Sequence, residues 1–214
     1  MKVFSVVGIT ESGKTTTIEN IIKELRKRKY SVGSVKEIHF EQFAIDTEGS
    51  NTYRHKEAGS QLVTARGYYE TDILFQERLS MDEILKFYNH DFVILEGVTD
   101  ANVPKIITAH NEKEILERLD DMVFAISGKL SNTLEEFEGL PVINAMDNAE
   151  RLVDLIEEKV FDKLSVKSKV KLQIDGKDID MVPFVQNILF NAVLGVVKEL
   201  EGYEKGKEIV VRIL

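Results

Sequence analysis

Short apolar runs rich in Val and Ile alternate along this chain with stretches where apolar residues recur every three or four positions. The first run, Val3-Phe4-Ser5-Val6-Val7, reads as a buried strand, and Ile18, Ile21, Ile22 and Leu25 then share one helical face among Glu, Lys and Arg. Residues 31–38 predict a second strand, parallel to the first through a right-handed crossover. The period then disappears. Residues 39–52 are polar and turn-rich, a long loop leading into a short helix over 51–58, and such loops in compact domains are usually functional or disordered. Short strands are expected at 61–65 and 72–75, followed by a helix over 81–88 with Ser80 as N-cap and Glu83 in the capping-box position. Residues 91–97 form another buried strand, which ends in Glu96-Gly97. Apolar strands at 122–127 and 141–145, with a helix near 133–137 between them, complete the set. A long amphipathic helix starts at Asp147 and carries Leu152, Leu155, Ile156 and Val160 on one face.

Strands alternating with helices define an α/β fold, a mostly parallel sheet flanked by helices, over residues 1–163. In such sheets ligands collect at the carboxyl ends of the strands, an edge that here carries the segment after Gly8 together with Lys36, Glu96 and Asn144. A polar stretch at 163–169 marks a boundary, beyond which residues 166–214 read as a small α+β appendage of ββαβ order. Its parts are a hairpin turning at Asp175-Gly176, a helix from Pro183 to about Leu200, and a closing strand at 207–214. A piece of that size buries only a marginal core, so it is expected to pack on the main domain or on a second copy. Asn187, Asn191, Lys198 and Glu199 interrupt its apolar helix, which marks a core or dimer contact rather than a membrane span.

Composition narrows the class. The formal net charge is −9 with 30% charged and 43% hydrophobic residues, so no nucleic-acid footprint is expected. Lys23, Arg26, Lys27, Arg28 and Lys29 do cluster, but in the last turns of the first helix, where cations complement the dipole; a solvated helix end is the expectation. The chain has no cysteine, which removes disulfides, zinc–thiolate sites and Cys nucleophiles. No apolar run nears the ~18 residues of a membrane span, and the strand starting at the second residue leaves no room for a signal peptide, so a cytoplasmic protein is expected.

The chemistry centres on the first strand–helix junction. Gly8-Ile9-Thr10-Glu11-Ser12-Gly13-Lys14-Thr15-Thr16 contains G-x-x-x-x-G-K-[ST] between a predicted strand and a predicted helix, the context that makes the motif a phosphate loop. Backbone N–H groups over Gly8, Thr10, Glu11, Ser12 and Gly13 converge on the anion, and the helix N-terminus at Lys14, Thr15 and Thr16 adds its positive dipole end. Lys14 reaches the β- and γ-phosphates and the Thr15 hydroxyl ligates Mg²⁺. A nucleoside-triphosphate-binding P-loop NTPase follows. Residues 92–96 have the form of a Walker B strand, whose terminal Glu96 holds the metal or orients water. Asp46 is either a metal or water ligand or a loop cap, and Lys36 either faces the phosphates or is solvated. Asn144-Ala145-Met146-Asp147 has the Asn and Asp of the guanine-reading Asn-Lys-x-Asp element without its Lys, so Asp147 is either a base contact or the N-cap of the next helix. His39, His55, His90 and His110 show no metal spacing.

Over roughly residues 1–160 the chain resembles the molybdopterin-guanine dinucleotide biosynthesis protein B (MobB) family. The resemblance rests on residues 8–16, on Val35-Lys36-Glu37-Ile38-His39, on the block from Asp46 through Tyr53-Arg54-His55-Lys56-Glu57-Ala58-Gly59, on Leu95-Glu96-Gly97 and on Pro104-Lys105-Ile106. It implies a GTP- and Mg²⁺-binding protein, usually a homodimer, with weak GTPase activity, that assists a MobA-type guanylyltransferase in attaching GMP to molybdopterin. Lys14 and Thr15 are then phosphate and metal contacts, Asp46 and Glu96 serve metal or water, and Arg54 lies in the nucleotide-facing segment. The chain departs from the family where Gly-Lys-Asp-Ser is usual, having Gly49-Ser50-Asn51-Thr52; it also has Glu11 in place of a small residue and Glu37 in place of a second His. Those changes point to feeble or absent hydrolysis. The alternatives are a small-molecule kinase, for which only Arg54, Arg66 and Arg78 are available as lid cations, a metallochaperone GTPase, and a non-hydrolysing nucleotide-binding adaptor.

Overall fold

In the computed structural model, residues 1–40, 42–160, 172–174, 177–179, 183–200, 202, 203, 209 and 210 are described. Chain contacts divide the protein into two units, Met1–Phe161 and Asp162–Leu214. In the first, β1 (Lys2–Gly8) leads to α1 (Lys14–Lys27), β2 (Val32–Lys36), α2 (Asn51–Glu57), β3 (Leu62–Arg66), β4 (Thr71–Phe75) and α3 (Met81–Leu85). There follow β5 (Phe92–Glu96), β6 (Lys105–Thr108), α4 (Glu112–Leu116), β7 (Val123–Ser127), β8 (Glu136–Phe137), β9 (Leu140–Pro141) and α5 (Ala149–Lys159). The central sheet is parallel throughout, in the order β2-β5-β1-β6-β7.

Both faces of that sheet are covered, which is why its strands are apolar at successive positions instead of alternating. Phe4, Val6, Phe92, Ile94 and Ile106 face Ile18, Ile21 and Leu25 of α1 and Leu152, Val153 and Ile156 of α5. On the other face Val3, Val93 and Leu95 pack with Leu85 of α3, and Val7, Ile107 and Ile126 with Ile115 of α4. Fully burying one such side chain stabilises the fold by roughly 1.5–3 kcal/mol. Ser5 is the polar exception in β1; its buried hydroxyl donates to the carbonyls of Leu95 and Val98.

The α/β architecture and the parallel relation of the first two predicted strands hold, with β5 lying between β1 and β2. The short strands expected near 61–65 and 72–75 form as β3 and β4, which pair antiparallel with each other and stay outside the central sheet. Other expectations are corrected. The helix expected near 133–137 is absent. A 3₁₀ turn at Lys129–Asn132 precedes the β8–β9 hairpin, because Glu138 and Gly139, at φ of 50° and 76°, give the two left-handed residues of a two-residue hairpin turn. The strand expected over 141–145 shrinks to a bridge between Val142 and Ile126 beside β9. Sequence periodicity finds neither β6 nor α4; four residues behind Pro104 and a single helical turn are too short to show a period. The last helix of this unit begins at Ala149, so Asn148 and not Asp147 precedes it, without a side-chain cap.

The basic cluster is not merely solvated. Arg28, just past α1, ion-pairs with Glu24, Asp154 and Glu157, tying α1 to α5. In the second unit β10 (Leu172–Ile174) and β11 (Lys177–Ile179) pair antiparallel and precede α6 (Pro183–Val197). The boundary expected at 163–169 and the Asp175-Gly176 turn lie outside the described residues, as does most of the strand expected at 207–214, of which Ile209 and Val210 are not in a strand. Among the described residues no helix is long and apolar enough to cross a membrane.

Hydrogen bonds from Arg28, and then from Lys27, hold Glu24 below its ordinary value of 4.5 despite the opposing effect of desolvation. A carboxyl depressed by folding stabilises the fold above its unfolded pKa, and that contribution disappears as pH falls through the folded one. Arg28→Met is therefore expected to lower Tm at neutral pH and to flatten the decline of Tm between about pH 5 and pH 3, followed by circular dichroism. An acid limb as steep as the parent's would show that the cluster does not tie the helices.

Candidate functional site

The segment joining β1 to α1 is wrapped against two neighbouring strand ends so tightly that only glycine fits at its contacts. A Cβ on Gly8 would overlap the backbone and hydroxyl oxygens of Thr108, at the end of β6. Gly13, at φ 103°, brings its Cβ direction to 3.0 Å from the Cα of Gly128, and a Cβ on Gly128 would in turn overlap the Ser12 carbonyl. Three polar contacts lock this arrangement. The Ser12 and Thr108 hydroxyls are 2.7 Å apart, the Lys129 N–H donates to the Ser12 carbonyl at 3.0 Å, and His110 Nε2 lies 3.1 Å from the Glu11 carbonyl. His110 is itself held through Nδ1, 3.2 Å from Glu114. Glu11 adopts φ 60°, a left-handed conformation for a residue with a side chain, so the loop is held in a strained shape by its surroundings.

No side chain caps α1, and the N–H groups of its first turn face the concavity of the loop. Lys14 folds back over that concavity, its ammonium donating to the carbonyls of Gly8 and Ile9. Partial burial lowers the Lys14 pKa, Glu96 opposes this, and the positive charges of Lys36 and Arg118 add to the lowering. An anion at this position would reverse that balance. Beside it the Thr15 hydroxyl donates to Glu96 Oε1 at 2.9 Å, and the Lys36 ammonium reaches the same oxygen at 2.6 Å. Glu96 is mostly buried, whereas Lys36 is largely exposed.

Lys14, Thr15, Lys36 and Glu96 thus converge at the carboxyl edge of β1, β2 and β5. Ser12 is buried, Thr10, Glu11, Thr15 and Thr16 are exposed, and the rest of the loop is intermediate. Asp46 is organised differently. Its Oδ1 accepts from the Thr47 N–H and from the hydroxyls of Ser50 and Thr52, and these bonds, led by Ser50, hold its carboxyl below the usual range. Ser50 is also the N-cap of α2, accepting from the Tyr53 N–H. Asp46 therefore organises the turn that starts α2; its Oδ2 is buried and has no partner among the described residues. No hydrogen bond joins it to Lys14, Thr15 or Glu96 among those residues. Arg54 is exposed on α2, and Asp147 is exposed ahead of α5.

Sequence reading missed Thr108, His110, Gly128 and Lys129, which shape the loop from other strand ends. The only available signal was Gly128 directly after an apolar strand run, too common to single out. Among the described residues no three His, Cys, Asp or Glu gather as a metal cluster.

The family model described as Molybdopterin guanine dinucleotide synthesis protein B matches residues 3–128, which include every loop contact above except Lys129. A Putative molybdopterin-guanine dinucleotide biosynthesis adapter protein of Methanocaldococcus jannaschii is 29% identical, the alignment covering 100% of this chain and 97% of that protein. The Bacillus subtilis protein named Probable molybdopterin-guanine dinucleotide biosynthesis adapter protein is 30% identical over 68% of this chain and 86% of its own length. Among solved structures, Bacillus subtilis MobB superposes with a TM-score of 0.63 at 23% identity, covering 76% of this chain and 100% of that one, a likeness of fold.

Gly128→Ala forces a side chain onto the Ser12 carbonyl from a left-handed residue. We expect a stability loss on the order of 1–3 kcal/mol and faster amide exchange at Gly13 and Lys14 than in the parent, read by hydrogen–deuterium exchange. Unchanged exchange there would show that Gly128 does not set the loop's shape.

Proposed function

The chain belongs to the molybdopterin guanine dinucleotide synthesis protein B (MobB) family, and on that basis we propose that it binds GTP with Mg²⁺ and acts as an adapter in attaching a guanine nucleotide to molybdopterin. One observation carries the nucleotide part: a loop that only glycine can close at Gly8 and Gly13, open at an uncapped helix N-terminus, with the Thr15 hydroxyl hydrogen-bonded to Glu96 at its mouth. The loop from Gly8 through Thr10, Glu11, Ser12 and Gly13 to Thr16 holds the triphosphate, and Lys14 leaves the Gly8 and Ile9 carbonyls for the β- and γ-phosphates. A hard cation asking for few protein oxygens fits the donor set, since Mg²⁺ is commonly held by one or two protein groups, phosphate oxygens and waters. Thr15 and Glu96 would supply the protein oxygens, and the Oδ2 of Asp46, without a partner among the described residues, would be a further acceptor for a hydrated ion or a water. Bound there, Mg²⁺ would neutralise phosphate charge.

Lys36, displaced from Glu96, adds positive charge on the same edge, and Arg54 on α2 is a further cation of the segment that the family resemblance makes nucleotide-facing. Hydrolysis is slow attack of water on the γ-phosphorus with cleavage of its bond to the bridging oxygen, giving GDP and inorganic phosphate. Lys14 stabilises the charge that develops and Asp46 holds the water. The adapter part is supported by the names of the two relatives, both of which carry the word. The partner is a nucleotidyltransferase of the MobA type working on molybdopterin, and the protein works as a homodimer in the cytoplasm.

Lys14→Ala is expected to weaken GTP binding at least about 100-fold, the loss of more than one charge-assisted hydrogen bond, with an unchanged circular dichroism spectrum. Binding at the parent's strength would show that the loop is not the site. A pull-down with a molybdopterin nucleotidyltransferase is expected to retain the parent protein, and retention of no such enzyme would remove the adapter role. Rapid phosphate transfer to a metabolite would make the protein a kinase instead.

A further inference from the structure

Beside the loop, on the side away from Glu96, a cavity of about 190 Å³ opens between the first turn of α1 and two segments that follow the strand ends. Gly13 and Thr16 form one wall; Lys129, Asn132, Asn144 and Met146 belong to the others. A nucleotide with its phosphates over Gly13–Thr16 would have this cavity next to its sugar and base, and the volume is smaller than the ~300–1,000 Å³ of sites that enclose a whole ligand. It suits one end of a nucleotide.

The hydrogen bonds inside it fix what it offers. Asn144 Oδ1 accepts from the Met146 N–H at 2.9 Å, so the other end of that amide is its NH₂, which donates to Asn132 Oδ1 at 2.8 Å. Asn132 is thereby oriented too, with its oxygen engaged and both N–H groups of its Nδ2 without a protein partner among the described residues. Asn144 keeps one N–H to spare. The remaining capacity of the pair is therefore weighted toward donors. The carboxylate that the Asn-x-x-Asp spacing brings to mind, Asp147, is exposed and does not line the cavity.

We propose that this cavity is the base subsite of the nucleotide site inferred above, on which the assignment rests, and that the Asn132–Asn144 amide pair reads the 6-oxo edge of a purine while its 2-amino group goes unread. A 6-oxopurine presents two adjacent acceptors, O6 and N7, to such donors. Adenine replaces O6 with an amino group and sets donor against donor. A 2-amino group needs an acceptor, which the cavity's orientation of Asn132 and Asn144 does not supply and Asp147 is not placed to supply. Inosine and guanine nucleotides are then equivalent ligands. Asn132 is a specificity-determining residue.

The test is displacement of a fluorescent GTP analogue by GTP, ITP, ATP and inorganic tripolyphosphate, on the parent protein, Asn132→Ala, Asn132→Asp and Asp147→Ala. The expected result is ITP within about threefold of GTP and ATP weaker by about tenfold or more, the scale of one hydrogen bond and an unpaired donor. Asp147→Ala keeps that ranking. Asn132→Ala narrows the GTP-to-ATP gap with tripolyphosphate unaffected, and Asn132→Asp, which keeps the shape but turns the donors into acceptors, weakens GTP more than ATP. ITP tenfold weaker than GTP, with the gap closing in Asp147→Ala, would overturn the proposal in favour of a carboxylate reading the 2-amino group. Equal displacement by GTP and ATP would overturn it as well. Failure of every competitor, tripolyphosphate included, and of the analogue itself would refute the phosphate-loop reading, and the base subsite with it.

Discussion

Gly13 and Gly128 approach each other with no room for a side chain between them, and the shape of the candidate site depends on that contact. The two residues come from opposite ends of the sheet's chain order, one after β1 and one after β7, and β6 with Thr108 lies between those strands. Because Gly8, Gly13 and Gly128 each meet backbone or Thr108 at contact distance, the loop cannot relax outward or inward without losing the Ser12–Thr108 and Lys129–Ser12 hydrogen bonds. Backbone packed to this density holds a residue such as Glu11 in a left-handed conformation that it would not adopt alone.

From that constraint the electrostatics follow. The loop aims an uncapped helix end at open space and places Lys14 where burial and two neighbouring cations disfavour its charge. Across the edge, Glu96 occupies itself with Thr15 and Lys36. The polar groups are therefore paired with one another in ways that a triphosphate and a hard cation would exchange for stronger, charge-assisted contacts, with little movement of the strands that carry them. Asp46 stands apart, spending one oxygen on its own turn while the other has no partner among the described residues.

The sheet's packing explains why this edge can be held so firmly. α1 is pinned from three sides, by Ile18, Ile21 and Leu25 in the core, by the Arg28 cluster against α5, and by Thr17 beside Ser127 of β7. The same contacts bring the segment after β7 and the segment before α5 together, and the Asn132–Asn144 pair bridges them. Core burial and the polar edge are in this sense one construction. The helix that covers the sheet is also the floor of the loop and a wall of the cavity.

The strand–loop–helix junction around Gly8–Thr16 was legible in the chain itself, because a strand, a G-x-x-x-x-G-K-T segment and an amphipathic helix are contiguous and each has a local physical cause in steric freedom, donor direction or periodicity. The parallel α/β class, the Ser80 capping box and the acidic end of β5 were legible for the same reason. What tertiary structure alone decided was anything made by residues far apart in sequence: that Lys36 and Thr15 share one oxygen of Glu96, that Thr108, His110 and Gly128 mould the loop, and that Asn132 reaches Asn144 while Asp147 stays outside. Short elements such as β6, and the hairpin turned by Glu138 and Gly139, also escaped local reading. A four-residue strand has too few positions to show a period, and a left-handed glutamate is set by its neighbours in space, which a linear sequence does not reveal.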